Sequence, residues 1–280
     1  HEMFHVLGFA GDQWDQYVGG SNSVRSASQA GKTVWRVVTP AARAAARAHF
    51  DCTTLAGVEL EDNDTDGSSS GPSSHVEKRV YTNELMNALI WPERTVASRI
   101  SLAVLADSGY YTVNYAYTQP LEWGAGAGCA FATQRCDGAA WDATDAAICK
   151  DYTRLQCTWS RLGYGTCAVF EFAAAVPSLY RYFPENARLG GEPRADYCPT
   201  VYPQSDGLCV STARQPTHHG ETFGAASRCT LSTLVDARIG PPSASTQPRC
   251  HEQRCDGTTV ELRVGERYYR CRPDGGPMAV

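Results

Sequence analysis

Twelve cysteines constrain the fold of this 280-residue chain more than any other feature of its sequence. Eleven of them lie after residue 128, and none forms the CxxC pairs typical of zinc ribbons and thiol redox sites. An even number of dispersed cysteines is typical of disulfide-bonded proteins in oxidising compartments. We therefore expect a secreted or cell-surface protein whose second half is cross-linked and contains few long helices or strands.

The charge and hydropathy of the chain exclude several classes of protein. The formal net charge is -5 and the basic residues form no stripe, which argues against nucleic acid or an anionic membrane surface as the main partner. No apolar run reaches the ~18 residues of a membrane-spanning helix, and the C-terminal residues offer no hydrophobic tail for attaching a lipid anchor. The sequon Asn63-Asp64-Thr65 makes Asn63 a candidate glycosylation site.

Local patterns predict a mixture of helices, strands and loops. Thr39 followed by Pro40 predicts the start of a helix, because proline fits the first helical turn, and Ser108-Gly109 predicts the end of another. Gly265-Glu266 lies between two strand-like runs and predicts a late β-hairpin. The predicted helices are residues 1–8, 41–49 and 100–107; the predicted strands are 34–38, 258–264 and 267–271; the predicted exposed loops are 19–31 and 61–74.

The chain opens with the motif His1-Glu2-Met3-Phe4-His5. Histidines four residues apart lie on one face of a helix, so both imidazoles can bind one zinc ion. The glutamate between them lies beside that metal, where it can act as a general base. From the position of the motif at the first residue, we expect the chain to be the downstream part of a longer protein.

A catalytic zinc requires a third protein ligand and an open position for water. The motif continues to Gly8, as in metzincin proteases, whose third histidine follows the second by six residues. Gly11 stands at that position and cannot bind a metal, so the third ligand must come from farther along the chain. The remaining histidines are His49, His75, His218, His219 and His251.

His75 differs from the other histidines in the residues on either side of it. It comes directly after the acidic loop 61–74, and Met86, one of only three methionines, lies eleven residues later. That spacing is short enough for Met86 to pack beneath the metal, as the methionine of a metzincin site does. His49 ends an arginine- and alanine-rich helix. The helix dipole favours a cationic histidine at that end, which explains its position without a metal ion.

Taken together, these segments resemble the leishmanolysin family of secreted or lipid-anchored surface zinc metalloendopeptidases. The likeness is carried by HEMFHVLGF at residues 1–9, by residues 53–62, by SHVEKR at 74–79 and by NELM at 83–86. Residues 109–111, 128–131, 196–199 and 205–209 extend the likeness over nearly the whole chain.

The resemblance implies a role for each residue of the site. His1, His5 and His75 would bind one zinc ion per chain, Glu2 would be the general base, and Met86 would be the methionine of the Met-turn. The expected reaction is hydrolysis of peptide bonds in proteins or peptides by a zinc-activated water. The resemblance also implies an extracellular or cell-surface location, with either secretion or a lipid anchor in the full-length protein, and roles in degrading host proteins and in cell adhesion.

The cysteine pattern resembles that of the family too and carries over a set of pairings. The implied disulfides are Cys52–Cys129, Cys136–Cys198, Cys149–Cys167, Cys157–Cys229 and Cys209–Cys250. Each closed loop would add roughly 2–4 kcal/mol of stability. The family partners of Cys255 and Cys271 would lie beyond residue 280, which leaves these two free here or paired with each other.

The implied fold is α+β: a truncated metzincin-like catalytic region followed by a disulfide-rich, mostly β or irregular C-terminal domain. We expect residues 1–10 to hold the active-site helix at the end of a truncated N-terminal subdomain, residues 11–135 to form a central catalytic subdomain, and residues 136–280 to form the cysteine-rich domain. With His1 as the terminal residue, its free α-amine would place positive charge at the helix N-terminus and the first turn would fray, so we expect the isolated chain to be poorly active or inactive.

Two other functions fit the same residues. The cysteine-rich region, and Phe4 where the family has a small residue, permit a catalytically inactive surface protein that adheres or binds without cleaving. A purely structural zinc site would need four protein ligands and no bound water. Chelator-sensitive cleavage of peptides would distinguish a protease from both.

Overall fold

The computed structural model describes residues 1–62, 71–138, 141, 147–214, 220–234 and 245–272. The chain divides into two compact units: unit 1 comprises His1–Asp145 and Val169–Pro199, and unit 2 comprises Ala146–Ala168 and Thr200–Val280. The sequence-based division at residues 10 and 135 stays a prediction. Three candidate residues, Asn63, His218 and His219, lie outside the described residues.

The described residues contain helices in unit 1 and antiparallel strands in both units. The α-helices are Glu2–Val6 (α1), Pro40–Phe50 (α2), Lys78–Tyr81 (α3), Arg99–Ala106 (α4) and Gly128–Thr133 (α5). The strands are Val24–Gln29 (β1), Lys32–Val37 (β2), Val58–Leu60 (β3), Leu155–Cys157 (β4), Gly163–Cys167 (β5), Phe170–Glu171 (β6), Leu189–Gly190 (β7), Val201–Leu208 (β8), Ser227–Ser232 (β9), Gln247–Asp256 (β10), Thr259–Val264 (β11) and Arg267–Arg270 (β12).

The strands form four antiparallel sheets. In unit 1 the order β1-β2-β3 makes one sheet, and β6 pairs with β7 in another. In unit 2 the sheets have the orders β4-β5-β8 and β12-β11-β10-β9. The predicted late hairpin is confirmed as β11 and β12, joined at Gly265-Glu266. This mixture of helices and sheets is consistent with the predicted α+β class, whereas the metzincin-like topology stays a prediction.

The two longest helices lie where the sequence predicts helices 41–49 and 100–107, to within one residue at each end. Pro40 occupies the first turn of α2 after Thr39, and α2 ends at Asp51, whose φ of 53° leaves the helical region. The Ser98 hydroxyl caps α4 by accepting a hydrogen bond from the Ile100 N–H at 3.0 Å. Because alanine favours helix and has little bulk, α2 can lie close against α4. The buried face of α2 consists of Ala42, Ala45, Ala46 and Phe50.

Residues 19–31, expected to be an exposed loop, contain a strand, so that prediction is wrong for β1. β1 pairs with β2 from Val24 opposite Val37 to Gln29 opposite Lys32. Most of its side chains are exposed, so the alternation of apolar and polar residues that marks a half-buried strand is absent from its sequence. β1 forms because the free edge of the apolar strand β2 offers backbone hydrogen bonds.

Five disulfides join cysteines of the described residues within single units. They are Cys52–Cys129 and Cys136–Cys198 in unit 1, and Cys149–Cys167, Cys157–Cys229 and Cys209–Cys250 in unit 2. These are the pairs that the family resemblance implies. The buried cluster of unit 2 contains Cys157, Tyr164, Cys209, Cys229 and Cys250, with Leu155 and Phe223 packed against it. Its hydrophobic core is therefore made largely of cystine.

Cys255 and Cys271 are free. Cys255 of β10 lies opposite Val260 of β11, and the Cys271 N–H donates to the Val260 carbonyl from the other side. The two cysteines are therefore two strand spacings apart, or about 10 Å, which is farther than the Cα atoms of a disulfide. They cannot pair with each other in this arrangement.

Among the helices of the described residues, none combines the length and the hydropathy needed to span a bilayer.

Candidate metal centre

Three histidines from two distant segments of unit 1 meet at one point. His1 precedes α1, His5 lies one turn along it, and the ring centroids of both lie within 5.3 Å of that of His75. The Nε2 atoms of His1 and His5 are 3.1 Å apart, and one ligand nitrogen from each of the three rings lies within 4.8 Å of the others. Two nitrogens on a tetrahedral zinc are about 3.4 Å apart, so this spacing suits a shared metal ion.

Backbone carbonyls fix the tautomers of two of these rings. His1 Nδ1 lies 2.7 Å from the Leu85 carbonyl oxygen, and His5 Nδ1 lies 2.7 Å from the Phe9 carbonyl oxygen. Because a carbonyl only accepts hydrogen bonds, each Nδ1 must carry the proton and donate it. The Nε2 lone pairs of His1 and His5 are then free and face one another, as metal ligands require.

The third ring is held in its neutral form by its surroundings. Burial, together with smaller effects of His5 and Arg194, lowers the pKa of the His75 imidazole to about 4. At neutral pH His75 therefore carries no charge and keeps a ring nitrogen lone pair. A neutral imidazole is the form that binds a metal ion.

Hydrogen bonds of the backbone fix the segment that carries His75. The His75 carbonyl accepts from the Glu61 N–H at 3.0 Å, and its own N–H donates to the Ser73 hydroxyl at 3.2 Å. One residue later, the Val76 N–H donates to the Met86 carbonyl at 2.9 Å. The segment is thus anchored on one side to the end of β3 and on the other to the turn that contains Met86.

Gly11, at the place of the expected third histidine, lies against the residues that precede His75. Its N–H donates to the Ser74 hydroxyl at 2.9 Å, and a Cβ atom added to Gly11 would lie only 3.0 Å from the Pro72 carbonyl oxygen. The chain leaving α1 and the chain arriving at His75 therefore meet. This contact brings His75, which lies 70 residues after His5, to the candidate metal centre.

Glu2 lies on the solvent side of the histidines. Its Oε1 atom is 4.0 Å from His1 Nε2, and 89% of its side chain is exposed. A carboxylate in this position can reach a water molecule at the open side of the metal centre.

Met86 lies on a buried turn of unit 1 and has no exposed surface. The Glu84 carboxylate accepts a hydrogen bond from the Met86 N–H at 2.5 Å, and the Leu85 N–H donates to the Val96 carbonyl at 2.8 Å. The role of Met86 as the methionine beneath the metal stays a prediction.

Glu84 and Leu85 are functional candidates that the sequence patterns do not reveal. Leu85 acts only through its backbone carbonyl, which bonds His1, and such contacts leave no spacing signal. Glu84 is 1% exposed, and its one trace in the sequence is its position two residues before Met86. A carboxylate is buried so completely only when it is paired or hydrogen-bonded.

His49 and His251 lie outside the three-histidine cluster. His49 Nε2 is 2.9 Å from the Trp123 carbonyl oxygen, and His251 Nδ1 is 3.2 Å from the Arg263 carbonyl oxygen in unit 2. Burial lowers the pKa of both imidazoles. Both are explained as neutral buried side chains bonded to carbonyls.

Carboxylates form a second group of described side chains with ligand spacing: Glu61, Asp62 and Glu77. Lys32 Nζ lies 2.9 Å from Asp62 Oδ2 and 3.9 Å from Glu77 Oε2, so an ammonium group already supplies positive charge there. We assign no metal to this cluster.

Buried ion pairs tie together the elements that flank His75. Arg79 of α3 bonds Glu59 of β3 at 3.1 Å and Asp196 at 2.8 Å, and Lys32 of β2 bonds Asp196 at 2.7 Å. Breaking such a pair leaves an uncompensated buried charge, so the network is costly to disturb. It fixes β2, β3 and α3 around the segment that carries the third histidine.

Comparison with known proteins identifies relatives over the whole chain. A family model described as leishmanolysin, peptidase M8, matches residues 1–278. The chain is 28% identical to leishmanolysin from Leishmania donovani over 287 residues, which is 98% of this chain and 47% of the relative. It is 30% identical to leishmanolysin from Leishmania major over 292 residues, which is 98% of this chain and 46% of the relative.

A similar match comes from an insect. The chain is 34% identical to a leishmanolysin-like peptidase from Drosophila melanogaster over 285 residues, which is 89% of this chain and 41% of the relative. The chain therefore spans less than half the length of these relatives.

Proposed function

The chain belongs to the leishmanolysin family of peptidases, and on that premise we propose that the protein is a zinc-dependent metalloendopeptidase that hydrolyses peptide bonds in proteins. His1, His5 and His75 would bind one zinc ion, with Met86 beneath it in a metzincin-like fold. The observation that carries the proposal is the convergence of three histidine nitrogens within 4.8 Å. The donor set fits zinc, since imidazole nitrogen is among its preferred ligands.

The residues around the histidines can perform the proton transfers of peptide hydrolysis. Bound zinc would supply a Lewis acid that lowers the pKa of water towards about 7 and polarises a carbonyl oxygen. Glu2, exposed beside His1, would accept the proton of the attacking water and later donate it to the leaving amine. His1 and His5 would keep Nε2 directed at the metal, because the Nδ1 proton of each is bonded to a carbonyl.

We also propose an extracellular or cell-surface location. Five disulfides join the described residues, and such bonds persist in oxidising compartments. Roles in the degradation of host proteins and in adhesion rest on the family resemblance.

The variant Glu2→Gln tests the proposal, because it removes the base and keeps the size of the side chain. In the protein that carries this chain, we expect chelator-sensitive cleavage of a peptide library. General-base catalysis contributes about 10²–10⁴-fold, so Glu2→Gln should lower kcat/KM by that factor. Zinc content should stay at one ion per chain in the variant, since Glu2 is not a ligand.

Two outcomes would contradict the proposal. A wild-type protein that holds zinc but cleaves no peptide would favour a surface protein that binds without cleaving. A cobalt-substituted sample whose absorption shows four protein ligands and no water would favour a structural zinc site.

A further inference from the structure

One peptide group connects a buried carboxylate to a histidine of the metal centre. The Leu85 carbonyl and the Met86 N–H belong to the same peptide bond. The carbonyl accepts from His1 Nδ1 at 2.7 Å, and the N–H donates to Glu84 Oε2 at 2.5 Å. A continuous series of hydrogen bonds therefore runs from the Glu84 carboxylate through this peptide to the His1 ring.

The other side of the Glu84 carboxylate is fixed as well. Its Oε1 atom accepts from both the N–H and the hydroxyl of Ser98, each at 3.1 Å. Ser98 is the N-cap of α4, so the carboxylate is held by the first turn of a helix. Burial raises the pKa of the Glu84 carboxyl, and the bonds from Met86 and Ser98 act in the opposite direction. The 1% exposure of Glu84 means that water does not compete for these bonds.

His5 provides an internal comparison, because its peptide group ends on a neutral acceptor. His5 Nδ1 bonds the Phe9 carbonyl at 2.7 Å, and the N–H of that same peptide, on Ala10, donates to the Gly8 carbonyl at 2.8 Å. The acceptor behind this histidine is therefore a neutral backbone carbonyl. Carbonyls at equal distances thus hold His1 and His5, but the peptide of the first carbonyl is bonded to a carboxylate and that of the second to a neutral carbonyl.

We propose that Glu84 is a positioning residue of the metal centre, acting on His1 through the Leu85–Met86 peptide. A carboxylate bonded to a ligating histidine fixes the tautomer and ring orientation and raises the basicity of the ligand. Hydrogen bonds in series polarise one another, so a peptide whose N–H is bonded to a carboxylate has a more strongly accepting carbonyl. Glu84 thereby strengthens the His1 Nδ1–H bond and makes Nε2 a better donor. The inference rests on the proposed zinc site.

The test compares two variants that disturb opposite sides of the same carboxylate. Glu84→Gln removes the negative charge. Because each oxygen of Glu84 accepts from a backbone N–H, that of Met86 or that of Ser98, the amide NH₂ of the variant must face one of these N–H groups. Ser98→Ala removes one hydrogen bond to Oε1 and leaves the bond from Met86 to Oε2. Zinc affinity is measured by competition with a chelator in protein shown to be folded. Glu84→Gln should weaken zinc binding by about 10–100-fold, the range for outer-shell partners of metal ligands. Ser98→Ala should change it by less than about threefold.

Three results would overturn the inference. The first is a Glu84→Gln variant whose zinc affinity lies within about threefold of that of wild type. The second is an equal loss of zinc affinity in both variants, because that would indicate a general structural effect. A wild-type protein that binds no zinc would refute the proposed function, and the inference with it, whereas the first two results leave the zinc site intact.

A measurement on wild-type protein keeps the test independent of how well Glu84→Gln folds. Zinc is titrated into metal-free protein while the amide protons of Met86 and Ala10 are followed by nuclear magnetic resonance. Because the bonds in series are coupled, the Met86 proton should move downfield on zinc binding, and by more than the Ala10 proton. An unchanged Met86 proton, or an equal shift of Ala10, would contradict the role of Glu84.

Discussion

Two buried lysines of unit 1 show how neighbouring groups decide the ionisation of a side chain. Lys32 lies 2.7 Å from Asp196, and although burial alone lowers its pKa, the surrounding carboxylates raise it well above the usual value. Lys78 lies over the ring of Trp91 at 5.3 Å, and burial, which outweighs the nearby glutamates, lowers its pKa to about 8. The charged form of lysine is therefore favoured at Lys32 and disfavoured at Lys78.

Lys78 makes the stability of the protein depend on pH in the alkaline range. Because folding lowers its pKa from 10.5 to about 8, the native state binds fewer protons than the unfolded state between these values. The contribution of Lys78 to the free energy of unfolding therefore rises with pH from 8 to 10.5. At about 1.4 kcal/mol per pKa unit, wild type should gain about 3 kcal/mol relative to Lys78→Met between pH 7 and pH 11.

Chemical denaturation at the two pH values measures this difference. Lys150→Met is the matched control, because it removes the same charged group from an exposed position. A pH-independent difference for Lys78→Met would show that Lys78 is not desolvated in the native state.

At the scale of elements, what the sequence predicts depends on whether an element buries apolar side chains. α2 and α4 are predicted because their alanine and aliphatic residues recur on one buried face, with a start signal at Thr39-Pro40 for α2 and a stop signal at Ser108-Gly109 for α4. β1 is missed because it is polar and mostly exposed, and owes its pairing to β2. Tertiary hydrogen bonding, which has no local signature, decides such strands.

The same distinction applies to the candidate site. The spacing of His1 and His5 follows from helical geometry, so the sequence predicts their meeting directly. His75 reaches them through backbone bonds to Glu61 and Ser73, which spacing alone does not predict, and the family resemblance singled it out. Glu84 is missed because it contacts His1 only through a peptide group.

The helix α5 is held in unit 1 by an aromatic cluster, and the ring of Phe131 is its centre. Phe131 has no exposed surface, stacks on Trp141 with ring centroids 4.0 Å apart, and meets the edge of Trp123 at 5.9 Å. Phe131→Ala should lower the free energy of unfolding by about 3–5 kcal/mol, because the lost contacts leave a cavity. Phe170→Ala is the matched control, since Phe170 is 49% exposed.

Urea denaturation of both variants checks the prediction. Phe170→Ala should change the free energy of unfolding by less than about 0.5 kcal/mol. If Phe131→Ala lowered the free energy of unfolding by no more than Phe170→Ala does, the aromatic cluster would not be what holds α5.

At the scale of the whole molecule, the two units are stabilised by different means. Unit 1 has helices packed by apolar side chains, the buried ion pairs around Asp196 and two disulfides. The described part of unit 2 has short antiparallel strands, and four of the five residues in its buried cluster are half-cystines. In unit 2 the disulfides therefore act both as covalent cross-links and as the hydrophobic core.

Removing one core disulfide of unit 2 should consequently lower the free energy of unfolding by more than removing its two free thiols does. Cys209 and Cys250 are fully buried and close a loop with a sequence separation of 41 residues. Cys209→Ala with Cys250→Ala should lower the free energy of unfolding by at least about 2–4 kcal/mol through lost loop constraint, with a further loss from the cavity. Cys255→Ala with Cys271→Ala removes the same number of sulfur atoms but no cross-link.

The nuclear magnetic resonance signal of the Trp159 indole N–H reports on this unit alone, because Trp159 is the only tryptophan of residues 146–168 and 200–280. Urea unfolding followed at Trp159 should show a lower midpoint for the Cys209/Cys250 double variant, and a midpoint within experimental error of wild type for the Cys255/Cys271 double variant. Equal midpoints for the two double variants would mean that the strands of unit 2 are stable without their cystine core, contrary to the packing seen around Cys209 and Cys250.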